Sequence, residues 1–132
     1  MGRELKLLLD THTLLYALVE PERLSPQTRE LLTNPSNRRL VNVASLWEIA
    51  IKHQLGRLPQ GGLILAGYPG WLQDLKAQEL PILGPHAILA PRLPGAHRDP
   101  FDRMLAAQSL LEGALLLTHD PALKALGADT FW

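Results

Sequence analysis

Cysteine is absent from the 132-residue chain, which excludes disulfides and thiolate metal centres and is compatible with a reducing compartment. Any metal would have to be held through oxygen or imidazole. No apolar run is long enough to span a bilayer. The stretch Leu5 to Leu9 is too short even for a signal-peptide core. Gly2 does not read as a myristoylation site, because Lys6 stands where a hydroxyl residue is wanted, so the cytoplasm is the expected location. Net charge is also missing: thirteen Lys and Arg balance thirteen Asp and Glu. A nucleic acid would therefore have to be held by a few placed cations, since autonomous nucleic-acid binders are usually basic. Internal repeats and low-complexity segments are lacking as well.

What remains, 46% hydrophobic and 20% charged residues, is ordinary globular composition at the length of one domain, expected to cover residues 1–132. Short apolar runs alternate with helical patterns. Strands are expected at Leu5 to Leu9, Arg39 to Val43, Glu79 to Leu83, Ala114 to Leu117 and Thr130 to Trp132. Helices are expected after Asp10, from Ser25-Pro26, from a Ser45-x-x-Glu48 capping box to Gly56, over Trp71 to Ala77, over His86 to Leu93, from Asp99-Pro100 to Gly113, and after Asp120-Pro121. The glycine-rich stretch Pro59 to Gly70 reads as a loop or a short helical excursion. This alternation predicts an α/β fold with a parallel sheet covered on both faces.

Four acids, Asp10, Glu48, Asp102 and Asp120, each lie where an apolar run gives way to a helix start. Taken singly each has a structural explanation as a cap or a first-turn charge. Taken together, helices that follow parallel strands begin at one edge of the sheet, so the acids are expected on the ligand-binding side. Carboxylates gathered without interleaved lysines repel one another, and a divalent cation removes that cost. A hard cation such as Mg²⁺ takes oxygen ligands and phosphate, so the pattern points to metal-assisted phosphoryl chemistry. His12, His97 and His119 are not needed as ligands by a four-carboxylate set.

The segments Leu7-Leu8-Leu9-Asp10-Thr11-His12, Ser45-Leu46-Trp47-Glu48-Ile49, His97-Arg98-Asp99-Pro100-Phe101-Asp102-Arg103 and Leu117-Thr118-His119-Asp120 together closely resemble the PIN-domain ribonucleases, specifically the VapC-type toxins of toxin–antitoxin pairs. The resemblance runs through nearly the whole chain. It implies a three-layer α/β/α fold around a five-stranded parallel sheet, and Mg²⁺ or Mn²⁺ held by Asp10, Glu48, Asp102 and Asp120. Asp99 is the alternative to Asp102. Here Asp99 is assigned the N-cap and Asp102 the ligand role. The resemblance also implies an RNA substrate, a homodimer and a small antitoxin that blocks the acidic pocket.

Thr11 and Thr118 flank the acids as candidate carboxylate or phosphate contacts, with a turn role as the alternative. Arg98 and Arg103 are candidate phosphate contacts, with a solvated helix face as the alternative. Tyr68, Trp71, the Leu63-Ile64-Leu65 run and Trp132 are candidates for an interaction surface. A non-catalytic RNA-binding or regulatory module on the same fold is the competing function. An aspartate-phosphorylated receiver or phosphatase would want a second acid beside Asp10 or a partnering lysine at a later strand end, and neither is offered.

Overall fold

The computed structural model describes residues 4–132; Gly2, considered above for lipidation, lies outside them. Five strands, β1 Lys6–Leu9, β2 Arg38–Asn42, β3 Ala77–Leu80, β4 Leu115–Leu117 and β5 Thr130–Phe131, form one sheet in the order β3-β2-β1-β4-β5. Every pairing is parallel, with Leu8 opposite both Leu40 and Leu116, and Leu9 opposite Val41 and Leu117. Side chains alternate across a strand, so each run serves two cores. Leu8, Leu40, Leu80 and Leu116 pack on one face with Leu105, Ala106 and Leu123. Leu9 and Val41 pack on the other with Leu14, Ile49 and Ile64.

The helices divide accordingly into the expected three layers. Helices α1 Thr11–Val19, α2 Pro26–Thr33, α3 Val43–Gln54, α4 Gly61–Gly67 and α5 Gly70–Asp74 lie on the Leu9 face. Helices α6 Gly84–Leu89, α7 Pro100–Glu112 and α8 Pro121–Ala125 lie on the Leu8 face. Among the described residues no helix is long and apolar enough to cross a membrane.

Two local expectations are corrected, and the glycine-rich stretch takes the helical one of its two expected forms. Helix α3 begins at Val43, capped by Asn42, whose side chain accepts from Ala44 N at 2.8 Å. The Ser45-to-Glu48 capping box therefore does not form, and both residues lie inside the helix. Strand β3 runs from Ala77, two residues earlier than expected. The chain leaves α5 through Lys76 at a left-handed φ of 52°, and Pro81, without an N–H, cannot extend the ladder. The glycine-rich stretch contains a helix, α4, set tightly against His53: a Cβ on Gly61 would lie 2.9 Å from His53 Cβ.

The topology also fixes where a ligand belongs. From β1 the chain moves outward through β2 to β3, then returns to place β4 on the opposite side of β1. The order reverses between β1 and β4, and crevices at the carboxyl ends of such strands are the binding sites of open α/β sheets.

Candidate metal centre

Asp10 follows the last residue of β1 and caps α1, its Oδ1 accepting from Thr13 N at 2.7 Å. Thr13 Oγ1 donates to Leu117 O at 2.7 Å and Asp10 N to the same oxygen at 3.3 Å. These bonds sew the start of α1 to the end of β4. Asp10 is only 4% exposed, yet among the described residues nothing donates to its second oxygen. Across the crevice Asp120 caps α8, its Oδ1 accepting from Ala122 N at 3.0 Å.

Helix α7 brings the third motif to the same place. Asp99 is its N-cap, accepting from Phe101 N at 2.8 Å and Asp102 N at 3.2 Å. Asp102, in the first turn, meets His97 through Oδ2 and Nε2 at 2.6 Å. Glu48 arrives from α3, where Oε1 accepts from Thr11 Oγ1 at 2.7 Å and Oε2 pairs with Lys52 Nζ at 2.8 Å. Thr11 Oγ1 also shares a hydrogen bond with Ser45 Oγ at 3.0 Å.

One pocket of about 280 Å³ is lined by all five acids and by Thr11, with His12, Lys52 and His97 completing the wall. Five carboxylates thus face one lysine and two histidines. Burial pushes the Asp102 carboxyl above its ordinary range and the charges of Asp99 and Asp120 add to that, while the His97 bond opposes it. The same bond to Asp102 holds His97 above the usual imidazole value, reinforced by the charges of Asp102, Asp99 and Asp120 and opposed by desolvation.

Among the described residues no three acidic or histidine side chains already converge into a closed cage. Each carboxylate is engaged by its own partner: Asp10, Asp99 and Asp120 by helix-start N–H groups, Asp102 by His97 and Glu48 by Thr11 and Lys52. The donor chemistry fits Mg²⁺ or Mn²⁺: oxygen donors dominate the wall, and Asp10 offers an unengaged oxygen at the crevice.

The model of the PIN domain family matches residues 7–129. This chain belongs to the PIN-domain family. Its fold is similar to that of VapBC2 from Rickettsia felis, solved bound to a DNA fragment from its promoter, at 14% identity and a TM-score of 0.69 over 96% of this chain and 98% of that one. FitAcB from Neisseria gonorrhoeae shares 19% identity with a TM-score of 0.64 over 96% of each chain. FitAB bound to an IR36 DNA fragment shares 18% with a TM-score of 0.61 over 95% of this chain and 93% of that one. Identities this low carry the fold alone. No curated protein matches the sequence.

Within this PIN domain the flanking residues sort differently from the acids. Thr11 reaches the pocket as a carboxylate contact. Thr118 is buried and takes the turn role, its Oγ1 accepting from Asp120 N at 3.1 Å. Arg103 is committed away from any substrate. Its Nε donates to His97 O at 2.6 Å, Nη1 to Leu93 O at 3.0 Å and Ala90 O at 3.2 Å, and Nη2 to Gly95 O at 2.9 Å. Those carbonyls come from the loop leading into α7, so the side chain is a loop anchor. Arg98 is exposed between two pocket-lining residues.

Two partners escaped sequence reasoning. Lys52 stands four residues after Glu48 on α3, a spacing that signals an ion pair and could have been read. His97 reaches Asp102 by a loop path that carries no sequence signal.

Among the apolar candidates, Leu63 is 82% exposed and Tyr68 40%. Trp71 instead packs with the Leu9-face core and donates from Nε1 to Ile64 O at 2.8 Å. A further apolar hollow, not singled out from sequence, lies between α3 and α7. There Trp47, 63% exposed, meets Phe101 edge to face at 5.5 Å.

Proposed function

We propose that this PIN domain is a Mg²⁺- or Mn²⁺-dependent endoribonuclease, the VapC-type toxin of a toxin–antitoxin pair, acting in the cytoplasm as a homodimer. The observation that carries the reading is the single pocket in which Asp10, Glu48, Asp99, Asp102 and Asp120 meet at the carboxyl edge of the sheet. The four motif resemblances and the fold shared with VapBC2 and FitAB support the narrower assignment.

In this reading Asp10 and Asp102 are the direct ligands, with Asp120 completing the set from the far side of the crevice. When bound there, a divalent ion would supply charge neutralisation at the phosphate and a lowered pKa for water. Glu48, clamped between Thr11 and Lys52, orients the attacking water and accepts its proton. His97, hydrogen-bonded to Asp102 at the pocket wall, would supply the proton that the leaving oxygen takes up. Asp99 remains the cap of α7, holding Asp102 at the start of the helix. Arg98, exposed at the rim, contacts a phosphate of the substrate. The hollow at Trp47 and Phe101 and the exposed Leu63 and Tyr68 are the surfaces offered to the antitoxin and to a second copy.

Cleavage of structured RNA with Mn²⁺ or Mg²⁺ tests the proposal when wild type is compared with Asp10→Asn. Activity that needs the ion and disappears in the variant supports it. Undiminished cleavage by the variant, or full activity in excess EDTA, refutes it. RNA binding without cleavage under any divalent ion would identify a non-catalytic module.

A further inference from the structure

Beside the acidic pocket lies a second one of about 350 Å³, and Thr11, His12 and Lys52 line both. Its walls turn from acid toward aromatic and cation, with Tyr16, Arg23 and Arg57 in place of the aspartates and Glu20, paired to Arg23 at 3.1 Å, as the carboxylate that remains. Tyr16 is also the hub of a ring cluster. His12 lies 6.5 Å from it, His119 6.1 Å and Trp132 6.3 Å between centroids, and His119 and Trp132 are 4.6 Å apart.

The sheet order explains the gathering. His12 and Tyr16 are four residues apart on the helix that leaves β1, so they share a face. His119 follows β4, and Trp132 follows β5, whose Phe131 pairs with Leu117. Three neighbouring strands thus lead rings to the edge where β1 and β4 also deliver carboxylates. His12 and His119 remain exposed, and Tyr16 and Trp132 are half-buried. Arg23 lies over the Tyr16 ring with Cζ 5.5 Å from its centroid. Arg57 is exposed, and its side chain has no partner among the described residues.

Aromatic faces interleaved with cations are the chemistry by which proteins hold unpaired nucleotides, each base stacking on a ring while cations meet the backbone. We propose that the Tyr16, His119 and Trp132 cluster stacks an unpaired base next to the phosphate held at the acidic pocket, with Arg57 contacting the adjoining backbone. This site selects single-stranded RNA and rests on the nuclease reading above. Paired RNA is excluded because its bases are already stacked within the duplex.

The test is fluorescence anisotropy with Ca²⁺ replacing Mn²⁺, using a short labelled single-stranded oligoribonucleotide, the same strand carrying abasic residues, and the duplex as competitor. Wild type should favour the base-bearing strand by about five- to 150-fold, the range a lost base–aromatic stack gives. His119→Ala, at an exposed position, and Tyr16→Leu should shrink that preference. Arg57→Ala should weaken both strands equally and flatten the salt dependence by about one charge. Equal binding of both strands by wild type overturns the proposal, as does a preference retained in His119→Ala with an unchanged circular dichroism spectrum, or strong competition by duplex. Mn²⁺-dependent cleavage measured in parallel separates the two readings. Cleavage without base preference removes only the stacking site, whereas base preference without cleavage removes only the nuclease.

Discussion

Replacing Arg103 with methionine keeps the apolar stem and deletes four hydrogen bonds to the carbonyls of His97, Ala90, Leu93 and Gly95. Hydrogen bonds to charged groups contribute about 1.5–3 kcal/mol each when well buried. Here the guanidinium is half-buried, and the Gly95 bond is exposed. Counting three bonds at about 1 kcal/mol each gives a loss of about 3 kcal/mol, a large fraction of the 5–15 kcal/mol that typically holds a domain. For a chain of this length such a loss lowers the melting midpoint by about 10 °C. The loop carrying His97 should also loosen, releasing Asp102 from its partner. Chemical denaturation of wild type and Arg103→Met measures the first effect. If Arg103 were instead a phosphate contact, folding stability would stay within about 0.5 kcal/mol of wild type and only RNA affinity would fall. That outcome would refute the anchor assignment.

Other expectations follow from neighbouring geometry. Gly61→Ala should destabilise by about 1–3 kcal/mol, because the new methyl meets His53 Cβ, an atom fixed to the backbone of α3. Gly62→Ala meets only the tip of the same ring, at 3.2 Å from Cε1, and should be near neutral in the same denaturation series. For pH, the His97 imidazole is raised above its unfolded value by its bond to Asp102. Its contribution to stability is fully present below about pH 6.5 and is lost as pH rises through the higher folded pKa. Melting curves in metal-free buffer from pH 5.5 to 8.5 should show that decline, and His97→Ala should remove it. An unchanged slope in the variant would locate the titration elsewhere.

The architecture was legible because its central strands are nearly pure leucine. Leu7 to Leu9 and Leu116 to Leu117 are buried, with Leu115 half-buried, and no other periodicity competes with them. The edge was not. In β3 only Leu80 is buried, while Gln78 and Glu79 face solvent, so the stronger apolar signal at Ile82 and Leu83 drew the expectation past Pro81. The start of α3 was misplaced for a different reason: Asn42 is both the last residue of β2 and the cap, leaving no loop for a boundary to announce itself.

Asp10 and Asp120 could be placed from sequence because they follow the ends of β1 and β4, which apolar runs mark, whereas Glu48 lies inside α3 and Asp102 on α7, which no strand directly precedes. Their partners depend on loop paths. His97 reaches Asp102, and Arg103 reaches four carbonyls, only because residues 90–97 fold back over α7. The aromatic cluster was hidden for a similar reason, since Tyr16 on the helix after β1 meets His119 and Trp132, far along the chain, only through the pairing of β1 with β4.

The central claim is that the pocket at Asp10 binds a hard divalent ion, and a thermal melt with and without Mn²⁺ tests it most directly. Asp10→Asn is the control, because asparagine still caps α1 while removing the charge. Wild type should gain about 2.7 kcal/mol of stability when Mn²⁺ reaches about a hundred times its dissociation constant, seen as a rise in midpoint that Asp10→Asn lacks. A wild-type curve unmoved by millimolar Mn²⁺, or an equal rise in the variant, would contradict it.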